Sequence, residues 1–92
     1  MTRPIVVLGG GPCGLAVAWE LSGAGRDCVV LEREDRVGGL AATHERDGWR
    51  FDLGGHRFIT SDRALNDRVV ALMGDEFLTA DRKSAVLFGG RR

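Results

Sequence analysis

The sequence predicts an α/β fold that opens with a strand–helix–strand unit and continues into a β-hairpin and a further helix. Three observations carry that expectation. Two short apolar runs, Ile5-Val6-Val7-Leu8 and Cys28-Val29-Val30-Leu31, are continuous rather than alternating, the pattern of strands buried on both faces of a parallel sheet. Between them lies a stretch of good helix formers entered through Pro12. Where the first strand gives way to that helix, Gly9, Gly10, Gly11 and Gly14 fall within six positions.

Taken in order, the first strand ends at Gly9. Leu15, Ala16, Val17, Ala18, Trp19 and Leu21 continue the helix, which stops near Gly23 and Gly25, and the second strand closes on Glu32. Residues 1–35 therefore form a compressed βαβ unit. In residues 36–60, Asp47-Gly48 is a favoured two-residue turn flanked by strands over Thr43 to Arg46 and Trp49 to Leu53. Trp49, Phe51 and Leu53 alternate with Arg50 and Asp52, which makes one hairpin face apolar and assigns its aromatics to the core. In residues 61–92, Ser61-Asp62 reads as a helix start, and Leu65, Val69, Leu72 and Met73 keep helical spacing as far as Gly74. Asp62, Arg63, Asp67 and Arg68 form its solvated face. Ala85 to Phe88 reads as a last strand leading into a turn at Gly89-Gly90 and then Arg91-Arg92, with the return strand missing. The length suits one small domain carrying an incomplete doubly wound sheet.

Composition narrows the function classes. Fourteen glycines in 92 residues is twice the usual share of about 7%, and 11 of them lie in the first 55 residues, clustered between apolar runs. Such clusters mark backbone positions more than a flexible linker. Lys plus Arg is 13 and Asp plus Glu is 13, so no bulk field points to nucleic acid or an anionic membrane. Cys13 and Cys28 have no CxxC companion, which suggests neither a disulfide framework nor a zinc site and fits a reducing, cytoplasmic setting; no metal is expected. The apolar runs are far shorter than the roughly 20 residues of a membrane span, and the N-terminal run is too short for a signal-peptide core.

The glycines supply the chemistry. Gly9, Gly11 and Gly14 form G-x-G-x-x-G between a strand and a helix, the spacing of a Rossmann-type dinucleotide site. Gly9 permits the tight turn, Gly11 lets a pyrophosphate approach bare backbone, and Gly14 lets helix and strand pack closely. The helix N-terminus then offers free N–H groups and partial positive charge to the phosphates. Glu32, 18 residues beyond Gly14, stands where a carboxylate accepts hydrogen bonds from the adenosine ribose and opposes a 2′-phosphate, which disfavours NADP. Pro12 and Cys13 inside the motif and Arg33 beside Glu32 join the candidate cofactor-binding set. No Gly-Lys-Ser/Thr follows, so a P-loop is excluded. The fingerprint alone leaves FAD and NAD both open.

The segment beyond the second strand resembles the one that follows the Rossmann unit in the superfamily of FAD-dependent amine oxidases, protoporphyrinogen oxidases, phytoene desaturases and UDP-galactopyranose mutases. Arg36-Val37-Gly38-Gly39 matches its R-x-G-G, and Thr43 matches the Ser/Thr that closes that motif. Leu40 follows the two glycines where many members carry Arg, so no phosphate contact is implied there, and the departure points away from the amine-oxidase branch. Phe51-Asp52-Leu53-Gly54-Gly55-His56-Arg57-Phe58 resembles the F-D-x-G-x-H-x-F segment of protoporphyrinogen-oxidase-like and mutase-like members. The resemblance implies FAD as cofactor. It places Gly38, Gly39, Leu40 and Thr43 in a nucleotide-facing loop, and Gly55 and His56 near the flavin ring. There His56 either tunes the flavin, contacts substrate, or serves the structure by bonding a loop carbonyl. No catalytic residue is assigned.

The resulting expectation is the FAD-binding portion of a flavin-dependent oxidoreductase resembling protoporphyrinogen oxidase or UDP-galactopyranose mutase, with a small-molecule substrate bound by parts beyond this stretch. The alternative is a truncated, non-catalytic nucleotide-binding fragment. An NAD-dependent dehydrogenase half-domain is disfavoured by the R-x-G-G and G-G-H-x-F segments.

Overall fold

A computed structural model describes residues 3–90, and its first elements are the expected parallel pair. Strand β1 (Ile5–Leu8) lies beside β2 (Cys28–Leu31) in register from Ile5 opposite Cys28 to Leu8 opposite Leu31. Backbone bonds extend the ladder at both ends, from Ile5 N–H to the Asp27 carbonyl at 2.9 Å and from Gly9 N–H to the Leu31 carbonyl at 2.8 Å. Helix α1 (Pro12–Gly23) connects the strands and contacts both. It ends in a paired cap, with Arg26 N–H donating to the Leu21 carbonyl and Gly25 N–H to that of Ser22, while Gly25 takes the left-handed φ of +68°.

What α1 covers explains the burial pattern. Leu15, Ala18 and Leu21, three apart on one helix face, are half-buried, as are Val7, Cys28 and Val30 of the strands. The Cys28 thiol lies 3.9 Å from the Ala18 carbonyl oxygen. The expectation that both strands are buried on both faces is corrected here: Val6, Leu8, Val29 and Leu31 are exposed, Leu8 to 81%. A single helix covers a single face of a two-stranded sheet, and alternate side chains point away from it. Among the described residues no apolar side chain is buried, and the one buried position is Gly10, in the turn.

The hairpin follows. Strands β3 (Thr43–Arg46) and β4 (Trp49–Asp52) pair antiparallel, Thr43 opposite Asp52 and Arg46 opposite Trp49. Asp47 and Gly48 turn with φ of 52° and 83°, the left-handed pair that matches the twist of the flanking strands. His44 stacks on Phe51 directly across the ladder, ring centres 5.9 Å apart. The assignment of Trp49 and Phe51 to the core is also corrected, since both are exposed, Trp49 to 76%. The hairpin packs mainly strand against strand.

The chain divides into two compact units between Arg57 and Phe58. In the second unit, helix α2 (Arg63–Met73) begins where expected: the Asp62 carboxylate accepts a bond from Leu65 N–H at 3.0 Å. Gly74, at φ 55°, ends it and starts a single 3-10 turn, Gly74–Glu76. Phe58 and Phe77 meet edge to face with centres 6.2 Å apart. Asn66 and Val69 are half-buried, whereas Leu65, Val70, Leu72 and Met73 are exposed. The strand expected over Ala85 to Phe88 is irregular backbone with an isolated bridge at Phe88, because no neighbouring strand among the described residues pairs with positions 85–87. The turn at Gly89-Gly90 is present, both residues with positive φ, and Arg91-Arg92 lies outside the described residues.

Candidate dinucleotide site

The turn between β1 and α1 is built by close backbone approach. Gly9 has φ +103°, a conformation side chains disfavour. A Cβ placed on Gly14 would overlap the Gly9 carbonyl oxygen, so α1 rests directly on the end of β1. Gly11 differs. Its backbone is extended (φ −77°, ψ −177°), and a Cβ there would meet nothing nearer than Gly39 Cα at 4.0 Å. The space over Gly11 is open, bounded by a second glycine.

Helix α1 starts without a side-chain cap and without an acidic residue in its first turn. The N–H groups of Gly11, Cys13 and Gly14 have no acceptor within the helix, and Pro12 carries none to satisfy. This end of the helix retains its partial positive charge for an anion.

Glu32, half-buried at the end of β2, faces the turn. Gly10 N–H donates to its Oε2 at 2.6 Å, and Glu34 N–H to Oε1 at 3.3 Å. The Gly10 bond first, and the Glu34 bond next, hold its carboxyl below the usual carboxylate range, so it is ionised at neutral pH. A Cβ on Gly10 would stand 2.9 Å from that oxygen, so the absence of a side chain lets the carboxylate close in.

The R-x-G-G loop folds back on the same place. Gly38 N–H donates to the Gly10 carbonyl at 2.7 Å, and Gly39 opens a 3-10 turn (Gly39–Ala41) so close to the first cluster that a Cβ on it would lie 3.1 Å from Gly11 Cα. Gly38 and Gly39 both have positive φ. Beside them Glu32, Glu34, Asp35, Arg36, Gly39, Ala42 and His44 line a cavity of about 190 Å³.

Of the sequence-predicted residues, Gly9, Gly11, Gly14, Glu32, Gly38 and Gly39 are thus gathered around Gly10. Pro12 and the free Cys13 occupy the exposed first turn of α1, Arg33 pairs with Glu34 at 3.4 Å, and Leu40 is 88% exposed. Thr43 and His56 meet elsewhere, on Asp52. The Thr43 hydroxyl donates to Asp52 Oδ1 at 2.7 Å, and His56 Nδ1 lies 3.4 Å from Oδ2. These contacts, the Thr43 hydroxyl foremost, lower the Asp52 carboxyl below its ordinary range. Gly55 stands exposed next to His56. Sequence reading missed the partners of Arg36, whose guanidinium donates to the Thr43 carbonyl at 2.9 Å and contacts His44 Nδ1 at 2.6 Å. A spacing of seven and eight residues across a loop carries no periodic signal that would reveal it.

An uncapped helix end, open space over Gly11 and an ionised carboxylate held at the next strand fit a dinucleotide. Comparison with known proteins agrees. Residues 7–74 match the model of the NAD(P)-binding Rossmann-like domain, and the chain belongs to that family. It is 37% identical over 67 residues to an L-amino-acid oxidase of Sistrurus catenatus edwardsii, covering 73% of this chain and 13% of the relative. With a carotenoid 3,4-desaturase of Haloarcula japonica it shares 39% identity over 72 residues, 78% of this chain and 14% of the relative. A solved structure of a cofactor-binding variant of putrescine oxidase superposes with a TM-score of 0.61 at 35% identity, over 78% of this chain and 16% of that one.

These relatives set the chain within the FAD-dependent, amine-oxidase-like superfamily, as the counterpart of its N-terminal, FAD-binding part. The chain spans only 13% to 16% of the lengths of those three relatives. Leu40 in place of Arg does not set it apart from the amine-oxidase branch, since both oxidases named here match it at more than 30% identity. Among the described residues no helix is long and apolar enough to cross a membrane.

Proposed function

We propose that this chain binds the ADP half of FAD and forms the nucleotide-holding portion of a flavin-dependent oxidoreductase acting on a small molecule. The carrying observation is the convergence of three unlike features on Gly10: the uncapped α1 N-terminus, the Glu32 carboxylate and the Gly38–Gly39 backbone. The N–H groups at Gly11, Cys13 and Gly14 hold the pyrophosphate. Glu32 accepts from the ribose hydroxyls and repels a 2′-phosphate. Gly38 and Gly39 let the loop close over the turn without side chains in the way. Bound FAD supplies the electron-accepting chemistry, and the protein supplies binding and orientation. The names of the relatives, amino-acid oxidase, putrescine oxidase and carotenoid desaturase, favour a substrate that gives up two electrons. The two unpaired thiols favour a reducing, cytoplasmic compartment.

The narrower likeness to protoporphyrinogen oxidase or UDP-galactopyranose mutase rests on the Phe51-to-Phe58 segment. In that segment Asp52 stands beside Nδ1 of His56 and so favours a proton there, leaving Nε2 as the acceptor that a ring or substrate would meet.

The test is titration of the full chain with FAD, followed by flavin fluorescence, beside Gly11→Val. The open space and ordinary backbone at Gly11 let the variant keep its fold, checked by circular dichroism, while its side chain occupies the pyrophosphate position. Saturable binding lost in the variant is expected. No binding by a folded wild-type chain, or equal binding by both, overturns the reading.

A further inference from the structure

We propose that Arg36 is a positioning residue for the dinucleotide site, clamping the Gly38–Gly39 loop to β3, and that His44 makes the clamp sensitive to protonation. The consequence for nucleotide binding rests on the function proposed above; the clamp itself rests on geometry.

Two nitrogens of one guanidinium reach two consecutive residues of β3. Nη1 donates to the Thr43 carbonyl at 2.9 Å, and Nη2 lies 2.6 Å from His44 Nδ1. Arginine has five donors and no acceptor, so the second contact requires Nδ1 to accept. His44 is therefore neutral in this arrangement, with its proton on Nε2. Stacking on Phe51 fixes the plane of the imidazole from the other strand. Only Val37 separates Arg36 from Gly38, whose N–H holds the Gly10 carbonyl. A clamp two residues upstream limits how far that loop can lift from the glycine turn. The planar fork suits this task, whereas a lysine ammonium would reach both acceptors only as a point charge.

Protonating His44 places an N–H opposite an N–H and a second positive charge beside the guanidinium. The surrounding groups give the imidazolium somewhere to go. Glu32, Glu34 and Asp35 line the cavity that His44 also lines, and Asp52 stands near it on β4; Arg46, two residues along β3, shares its strand face. With His44 protonated, Arg36 loses its acceptor, the loop is released from the hairpin, and the wall of the cavity beside Glu32 loosens.

The experiment is nuclear magnetic resonance on the full chain without ligand. It reads the His44 tautomer from the ring nitrogens, and Gly38 amide protection corrected for intrinsic exchange, at a higher pH where those nitrogens show His44 neutral and at a lower pH where they show it protonated. The wild type should carry its proton on Nε2 at the higher pH and lose Gly38 protection about three- to tenfold at the lower. His44→Asn keeps an acceptor near the Nδ1 position and does not titrate, so its protection should hold at both. Arg36→Met should be weakly protected at both. A proton on Nδ1 at the higher pH, a fall in His44→Asn equal to the wild type, or unchanged protection in Arg36→Met overturns the clamp. FAD titration of the same proteins separates the two ideas. Loss of the amide pattern with FAD binding intact refutes the clamp alone, and an intact pattern in a chain that binds no FAD refutes its role in positioning a dinucleotide.

Discussion

The glycine turn after β1 and the base of the β3–β4 hairpin are both made of motif residues, yet they are held together in opposite ways. At the turn, apart from the Glu32 carboxylate on Gly10 N–H, the contacts are backbone on backbone: Gly14 on the Gly9 carbonyl, Gly38 on the Gly10 carbonyl, Gly39 against Gly11. The requirement there is that side chains be absent. At the hairpin base, Thr43, Asp52 and His56 bond through side chains that remain exposed to solvent. Contacts of that kind exchange with water at little net cost. The turn should therefore fail sharply when altered, and the hairpin base gradually.

The largest effect is expected at Gly14. An alanine there drives its methyl into the Gly9 carbonyl oxygen, a backbone atom that cannot move without breaking the bond from Gly9 N–H to Leu31. Gly14→Ala should lower the stability of the βαβ unit by about 3 kcal/mol, read from a denaturant midpoint, and abolish FAD binding. A midpoint within error of the wild type would show that helix and strand can slide apart cheaply, and the contrast would collapse.

Gly38→Ala comes next. Its φ of +117° disfavours any side chain, and the added methyl would stand 3.0 Å from Ala42 Cβ. The expected cost is about 1–3 kcal/mol, and the loss should appear in Gly38 amide protection before it appears in the helix signal.

A smaller effect follows pH. The Glu32 carboxyl is lowered in the folded chain from its ordinary value of 4.5, chiefly by Gly10 N–H. Its contribution is thus complete above 4.5 and disappears as pH falls through the lowered folded value. Asp52, lowered from 3.8 chiefly by the Thr43 hydroxyl, contributes with the same sign: its contribution is complete above 3.8 and is lost as pH falls below that value. Acid titration should loosen the turn first, and Glu32→Gln should flatten that step. An unaltered acid limb in Glu32→Gln would remove Glu32 from the account.

Thr43→Val should have the smallest consequence. It removes the bond to Asp52, so hairpin amides should exchange faster while FAD affinity stays within about twofold. A larger loss of affinity would return Thr43 to the nucleotide-facing role that its motif position implies.

Much of this architecture was legible in local patterns. Continuous apolar runs located β1 and β2, Pro12 and the Gly23–Gly25 stop bounded α1, Asp47-Gly48 located the hairpin, and Asp62 capped α2. Each rests on near-neighbour sterics or hydrogen bonding, which a short stretch of chain specifies by itself. G-x-G-x-x-G followed by Glu32 was legible for the same reason, since the turn itself requires glycine at Gly9, by its positive φ, and at Gly14, by its contact with the Gly9 carbonyl. Burial was not legible: Leu8 and Trp49 are apolar in sequence and open in space, because burial depends on what lies opposite and α1 covers only one face of the sheet. Nor was the site's second wall.

By itself, then, the sequence determined where β1, α1, β2, the β3–β4 hairpin and α2 fall and that a glycine turn stands at the head of α1. Only the tertiary structure decided that Gly38 and Gly39 close on Gly10 and Gly11, that Arg36 ties this loop to His44, and that Thr43 turns to Asp52. Those contacts join residues brought together by folding across loops, and their partners are chosen by distance in space, which no period or spacing along the chain encodes.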